Sequence, residues 1–202
     1  MQIIESSQTE LLGIFERGAA RSTKKLAALS GSEWAVHIVS IDVGSGARFR
    51  SIMARDEREH LGVYFSSSGE RYLVLFSENS GKAVLDAYAH DHAWAASRRN
   101  VPRMQDLALA EIANVIINGL SGELADRQGM TRIISAPKTV RGPKLDVFNE
   151  AFSDLPAIGE ESMVDVMIHI SSPALDADCT LMLRLDSLSA NFLLCPDPDK
   201  HP

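Results

Sequence analysis

Residues 104–128 read MQDLALAEIANVIINGLSGELADRQ, and their spacing decides the fold. At roughly 100° per residue, Leu109, Ile112, Ala113, Ile116, Ile117, Leu120 and Leu124 fall on one broad apolar stripe. Glu111, Asn114 and Asn118 fall opposite. The pattern predicts a helix over about Met104–Gln128, stopped at Gly129, with the stripe in a core and the polar residues facing out. A carboxylate and an amide one turn apart on a rigid helix can pair with a cation and orient a water at the same time. Any surface helix also carries polar residues opposite its stripe, so the pair takes its meaning from what surrounds it.

Downstream, a strand is expected over Thr131–Val140, carrying Pro137, followed by an irregular loop and strands Val164–Ile170 and Thr180–Leu185. Val164, Val166, Ile168 and Ile170 alternate as one buried face would. Upstream, Ser7-x-x-Glu10 has the form of a capping box and opens a helix running to about Leu29, stopped near Gly31. Leu11, Leu12, Ile14, Phe15, Leu26 and Leu29 supply its apolar side. A strand Trp34–Val43 follows, then a mixed-charge loop, Gly44–His60. Strands Leu61–Phe65 and Tyr72–Phe76 are joined by the turn Ser66-Ser67-Ser68-Gly69. A shorter helix, about Ser80–Tyr88, leads into a polar connector, His90–Arg103.

Helix–strand–strand–strand therefore occurs twice, with a period near 98 residues at the helices and slightly longer at the last strands. The expected fold is α+β, a pseudo-twofold duplicated unit. A single domain is expected over 1–195, with repeats at about 7–95 and 103–195 and a disordered tail over 196–202. The duplication supplies an internal comparison. Subtracting 98 sets Gly13 in the place of Glu111, Glu16 in that of Asn114 and Val39 in that of Pro137. The chemistry-bearing types occur in the second half alone, so one site per chain is expected, and the first helix reads as a structural element or a partner surface.

At 202 residues, with 45% apolar and 23% charged residues, the chain suits one compact core. A net charge of −7 argues against a nucleic-acid binder, which carries a basic face. No uninterrupted apolar run approaches the roughly 18 residues of a membrane span, and Met1-Gln2-Ile3-Ile4-Glu5 lacks the basic start and apolar stretch of a signal peptide. Cys179 and Cys195, the two cysteines, are expected as free thiols of a reducing compartment. The expected location is the cytoplasm.

Glu-x-x-Asn is common in chains of this length; a proline at one fixed offset narrows it. Glu111-Ile112-Ala113-Asn114 with Pro137 resembles the Glu-x-x-Asn…Pro signature of the CheC/CheX/FliY chemotaxis phosphatases. The order of helices and strands extends the resemblance from about residue 8 to about 194, and Gly18-Ala19-Ala20 keeps the small residues that the family shows after its motif. Leu107 fills a slot where the family has Asp or Ser, with Asp106 one position away.

The resemblance implies a CheC-like fold and a phosphatase acting on the aspartyl phosphate of a CheY-type response regulator. Asn114 then orients the attacking water, Glu111 forms a salt bridge to the regulator's active-site lysine, and Pro137 fixes the backbone beside the helix. No cofactor or metal of the chain's own is implied; Mg2+ belongs to the regulator's acidic pocket. The partner is a phosphorylated CheY-like receiver domain, with the chain itself a monomer or homodimer. The alternative is a non-catalytic binding module of the flagellar-switch type, recognising a receiver domain.

Other motifs read as structure. His90-Asp91-His92 lacks a third and fourth ligand at metal-site spacing. Gly44-Ser45-Gly46 lacks the Lys-Ser/Thr of a phosphate loop, and no nucleophile-elbow pattern occurs. Lys138, Arg141 and Lys144 form a basic run beside Pro137, either a solvated strand end or a steering patch for an acidic partner. Trp34 and Trp94 read as packing residues.

Overall fold

The computed structural model describes residues 2–43, 47–91, 102–153 and 163–194. Its elements run α1 (Gln2–Ser30), β1 (Ala35–Val43), α2 (Ala47–Met53), β2 (Glu59–Ser67), β3 (Glu70–Ser77), α3 (Glu78–Asp91), α4 (Pro102–Gln128), β4 (Lys138–Pro143), α5 (Lys144–Phe152), β5 (Val164–Ser172), β6 (Ala177–Leu185) and α6 (Ser187–Leu194), with a 3-10 turn at Pro173–Leu175. The fold is α+β with the duplicated order the sequence predicts. Gly44-Ser45-Gly46, His92, Trp94 and the tail with Cys195 lie outside the described residues.

The two long helices end alike. Gly31 and Gly129, 98 residues apart, both take the left-handed conformation, φ 64° and 63°, which glycine enters without steric cost. Gly31 N–H donates to Ala27 O at 3.0 Å and Met130 N–H to Ala125 O at 3.1 Å, closing each last turn.

The six strands form one antiparallel sheet in the order β1-β5-β6-β3-β2-β4. Exchanging the two halves maps this order onto itself, so a pseudo-twofold axis passes between β3 and β6. The register agrees: Tyr64 pairs with Leu73 as Met167 pairs with Met182, and Leu73 pairs with Met182 across the axis. Each half lends its first strand to the other, β1 to β5 and β4 to β2. Neither half completes its sheet alone.

Helix α1 opens at Gln2, ahead of the Ser7-x-x-Glu10 capping box expected to start it, and four further expectations about the elements need correction. The Gly44–His60 loop contains α2, and the loop after β4 contains α5. These helices cover the second face of the sheet, where Phe49, Met53, Val147, Phe148 and Phe152 pack on Tyr64, Leu73, Leu75, Met167 and Met182. That cover makes the alternation in β5 one of two buried faces. Val164, Val166, Ile168 and Ile170 join the larger core, and Asp165, on the other side, is also buried. It accepts two hydrogen bonds from Arg184, Nε at 2.6 Å and Nη2 at 2.8 Å, and the guanidinium lies over the Phe148 and Phe152 rings. A buried pair of opposite charge satisfied this way is tolerated where a lone charge is not.

The third correction is β4, which begins at Lys138 rather than Thr131. Pro137 has no N–H to give the ladder, and pairing with β2 starts one residue later, at Lys138 opposite Tyr64. The fourth is α6, a terminal helix the sequence reading omitted.

Within α4, all seven predicted stripe residues are at most 4% exposed. Met104–Gln128 is long and apolar enough by composition to cross a bilayer, against the expectation drawn from uninterrupted runs, but most of that stretch is buried in the fold. It crosses α1 where small residues allow close approach. Gly18 lies against Leu120, and Gly119 against the backbone of Ser22. Ser22 Oγ donates to Ile116 O across the crossing at 2.6 Å. Shifted by 98, Gly18 becomes Ile116 and Ser22 becomes Leu120, so the 18–120 and 22–116 contacts exchange. The helix crossing lies on the same pseudo-twofold axis. Arg17 Nε and Arg21 Nη2 then pair with the buried Glu123 carboxylate at 2.6 and 3.0 Å.

Candidate active site

The outward face of α4 carries Leu107, Glu111, Asn114 and Asn118, at helical steps of four, three and four. Burial of the opposite stripe sets the helix rotation, and rotation decides what this face presents. Glu111 is exposed, Asn114 half-buried and Asn118 exposed. Among the described residues Glu111 forms no ion pair. Asn114 Oδ1 accepts a hydrogen bond from Asn118 Nδ2 at 3.2 Å. Leu107 is 52% exposed, a large apolar side chain facing solvent one turn before Glu111.

One neighbour comes from elsewhere in the chain. Tyr88 of α3 is half-buried, and its hydroxyl is held above its ordinary pKa first by burial and then by the negative charge of Glu111. The negative charge of Glu111 thus disfavours deprotonation of Tyr88. Asp106 points away from the Glu111 face, toward β4, where it pairs with Arg141. That pair ties β4 to α4 just before the Glu111 turn.

Pro137 is exposed, immediately before β4. The chain leading to it is fastened to the β2–β3 hairpin. Ser135 N–H donates to Ser66 O at 2.8 Å, and Ser66 N–H to Ser135 Oγ at 2.9 Å. Arg132 pairs with the buried Glu70, which also accepts from Tyr72 Oη at 2.5 Å. Burial lowers the Arg132 pKa to about 10, which leaves it charged at neutral pH. Pro137 is thus a rigid residue at the end of a doubly anchored segment.

The basic run beside Pro137 divides. Arg141 is matched by Asp106, and Lys144 Nζ lies 2.9 Å from Asp56 Oδ2. Arg58 first, with help from Lys144, holds the Asp56 carboxyl below the usual carboxylate range. Among the described residues Lys138 alone of the three has no acidic partner; its Nζ sits 5.8 Å from the Tyr64 ring centre. Among the described residues, two of the three charges of this run are therefore already matched.

A cleft of about 280 Å³ opens beside the first turns of α4, lined among others by Glu59, Lys82, Gln105, Leu109 and Arg141. No group of three or more His, Cys, Asp or Glu residues placed to hold a metal ion occurs among the described residues. Cys179 is a buried free thiol, its pKa raised by burial and then by Asp178, and it is chemically quiet. Trp34 is partly buried against the core, its Nε1 donating to Ser30 Oγ at 2.9 Å. Sequence reasoning missed Tyr88 and the Asn118–Asn114 bond. Only the period of the helix hinted at the second, and nothing local hinted at the first.

No protein-family model matches the sequence, and no curated protein matches it. Solved structures do match the fold. Thermotoga maritima FliY superposes with a TM-score of 0.70 at 12% identity, covering 97% of this chain and 98% of that one. The Helicobacter pylori FliM middle domain gives 0.63 at 10% identity over 95% and 98%. A CheC-like superfamily protein from a Shewanella species gives 0.51 at 11% identity over 86% and 97%. The chain has the fold shared by the CheC-like proteins and the FliM middle domain.

Proposed function

We propose that this chain hydrolyses the aspartyl phosphate of a CheY-type receiver domain, with α4 as its working surface. The observation that carries the reading is the outward pair on α4: an exposed Glu111 carboxylate one turn from a half-buried Asn114 amide, on a CheC-like fold with Pro137 just before β4. An acyl phosphate is already labile, so no covalent intermediate is required. Water attacks phosphorus in line, the aspartate carboxylate leaves, and inorganic phosphate is released. The catalyst's task is positioning. Asn114 accepts a hydrogen bond from the attacking water through Oδ1 and holds the water's lone pair toward phosphorus. Glu111 engages the regulator's active-site lysine and holds the two proteins in register. Mg2+ comes with the regulator, and the chain supplies no metal of its own. Such a partner places the activity in the cytoplasm.

The test is phosphate release from a phosphorylated CheY-like protein with parent and Asn114→Ala chains. The half-buried amide lies off the core stripe, so the variant folds, and turnover falls on the order of 100-fold, as for other losses of reactant positioning. An unchanged rate would remove Asn114 from the chemistry.

A second reading, a flagellar-switch binding module without catalysis, is supported by the likeness to FliM, whose H. pylori form has been crystallised in complex with FliG. The exposed Leu107 supports it too, being an apolar contact where the phosphatase signature has Asp or Ser. Binding of a receiver domain with no acceleration of phosphate release by the parent chain would favour this reading over the first.

A further inference from the structure

Asn118 stands one turn beyond Asn114 on the same face of α4, and its Nδ2 donates to Asn114 Oδ1 at 3.2 Å. Helical side chains lean toward the N-terminus. Asn118 therefore reaches back over Asn114, while Asn114 leans toward Glu111. A primary amide has two ends of nearly equal size and opposite polarity, an oxygen with two lone pairs and an NH2 with two donors. Unrestrained, it can present either end to a ligand. With one lone pair of Oδ1 held by Asn118, the amide faces one way, its NH2 away from Asn118 and one lone pair of Oδ1 still open.

That remaining lone pair is what an attacking water needs. A water that donates one proton to Oδ1 has its own lone pair directed away from the amide, toward the phosphorus of a docked acyl phosphate. A reversed amide would donate to the water oxygen and occupy the lone pair that must attack. We infer that Asn118 is a positioning residue, setting the orientation of the Asn114 amide for the in-line water. The inference rests on the phosphatase reading of the same site.

Steady-state phosphate release with a phosphorylated receiver domain separates positioning from mere helix stabilisation. Asn118→Ala lowers kcat about tenfold, leaves KM within about twofold and leaves the thermal midpoint nearly unchanged, since misoriented reactants lose rate and not affinity. Asn118→Gln, which retains a donor one turn away, recovers kcat to within about threefold of the parent. Asn118→Asp has the parent's shape but accepts from the Asn114 NH2, reverses the amide and is slower than Asn118→Ala. Parental kcat in Asn118→Ala, measured where Asn114→Ala has lost its activity, overturns the inference and leaves the phosphatase reading intact. Parental kcat in Asn114→Ala overturns both. The bond has a readout independent of activity in the side-chain amide resonances of Asn114, assigned by their loss in Asn114→Ala. Removal of Asn118 shifts them toward solvent-exposed values if the bond holds the amide, and unchanged positions overturn the inference.

Discussion

Helices α1 and α4 occupy equivalent places about the pseudo-twofold axis and differ in what they show the solvent. Both end at a left-handed glycine, both bury an apolar stripe against the sheet, and they meet through contacts that exchange under a 98-residue shift. Their outer faces are unlike. Where α4 has Glu111 and Asn114, α1 has a half-buried Gly13 and an exposed Glu16. Packing preserved the inner faces of both copies, because each helix closes the same core. The outer faces were under no such constraint and could diverge. Pro137 and its counterpart Val39 extend the comparison into the sheet. Pro137 precedes the first rung of β4, and Val39 sits where the register of β1 slips between Ile38 and Ser40. The ladder is interrupted at this point in both halves, by a missing N–H in one and an extra residue in the other.

Removing the charged group from α4 should erase the difference between the two helices. Glu111→Ala weakens association with a receiver domain carrying a stable acyl-phosphate mimic by about 2–5 kcal/mol, the usual loss when one partner of an interfacial ion pair is deleted. Glu111→Lys is weaker still, since it opposes the regulator's lysine. Titration calorimetry giving one affinity for all three chains would remove the anchor role.

The shared inner faces are tested by two glycines on α4. A Cβ at Gly119 would lie 2.4 Å from Ser22 Oγ and 2.6 Å from the Ser22 backbone N, so Gly119→Ala must push α1 and α4 apart. We expect a loss of about 1–3 kcal/mol, typical of overpacking, read by urea denaturation. One turn on, a Cβ at Gly122 would meet nothing closer than Arg21 Nη1 at 3.8 Å. There the alanine stabilises by up to about 1 kcal/mol through helix propensity. Equal effects at both positions would contradict the close crossing.

The smallest expected effect lies in the first half. Gly13→Ala and Glu16→Ala leave turnover within about twofold of the parent. An ionised Glu16 cannot donate a hydrogen bond and repels a phosphoryl group, so α1 contributes nothing to remove. Substantial phosphate release by the Glu111→Ala/Asn114→Ala double variant, with α1 intact, would instead make α1 catalytic and end the one-site description.

Whatever depends on local period is written in the chain's own order. The stripe of α4, the glycine stops, the 98-residue repeat and the outward position of Glu111 all follow from spacing along one element. Residues three and four apart on a helix are neighbours whatever the rest of the chain does. Whatever depends on a distant partner is fixed only on folding. The exchange of β1 and β4 between halves is a matter of which edge each strand finds, and strand sequences do not name their partners. Helices α2 and α5 are too short for their periodicity to stand out, and they exist because the second sheet face had to be covered. Arg141 and Lys144 looked free in the sequence and are matched by Asp106 and Asp56, which folding brings from 35 and 88 positions away. Tyr88 comes within the electrostatic influence of Glu111 the same way, through the packing of α3 beside α4. Charge and hydrogen-bond partnership act through space over a few ångströms, and a chain's own order does not record which of its distant residues will share that space.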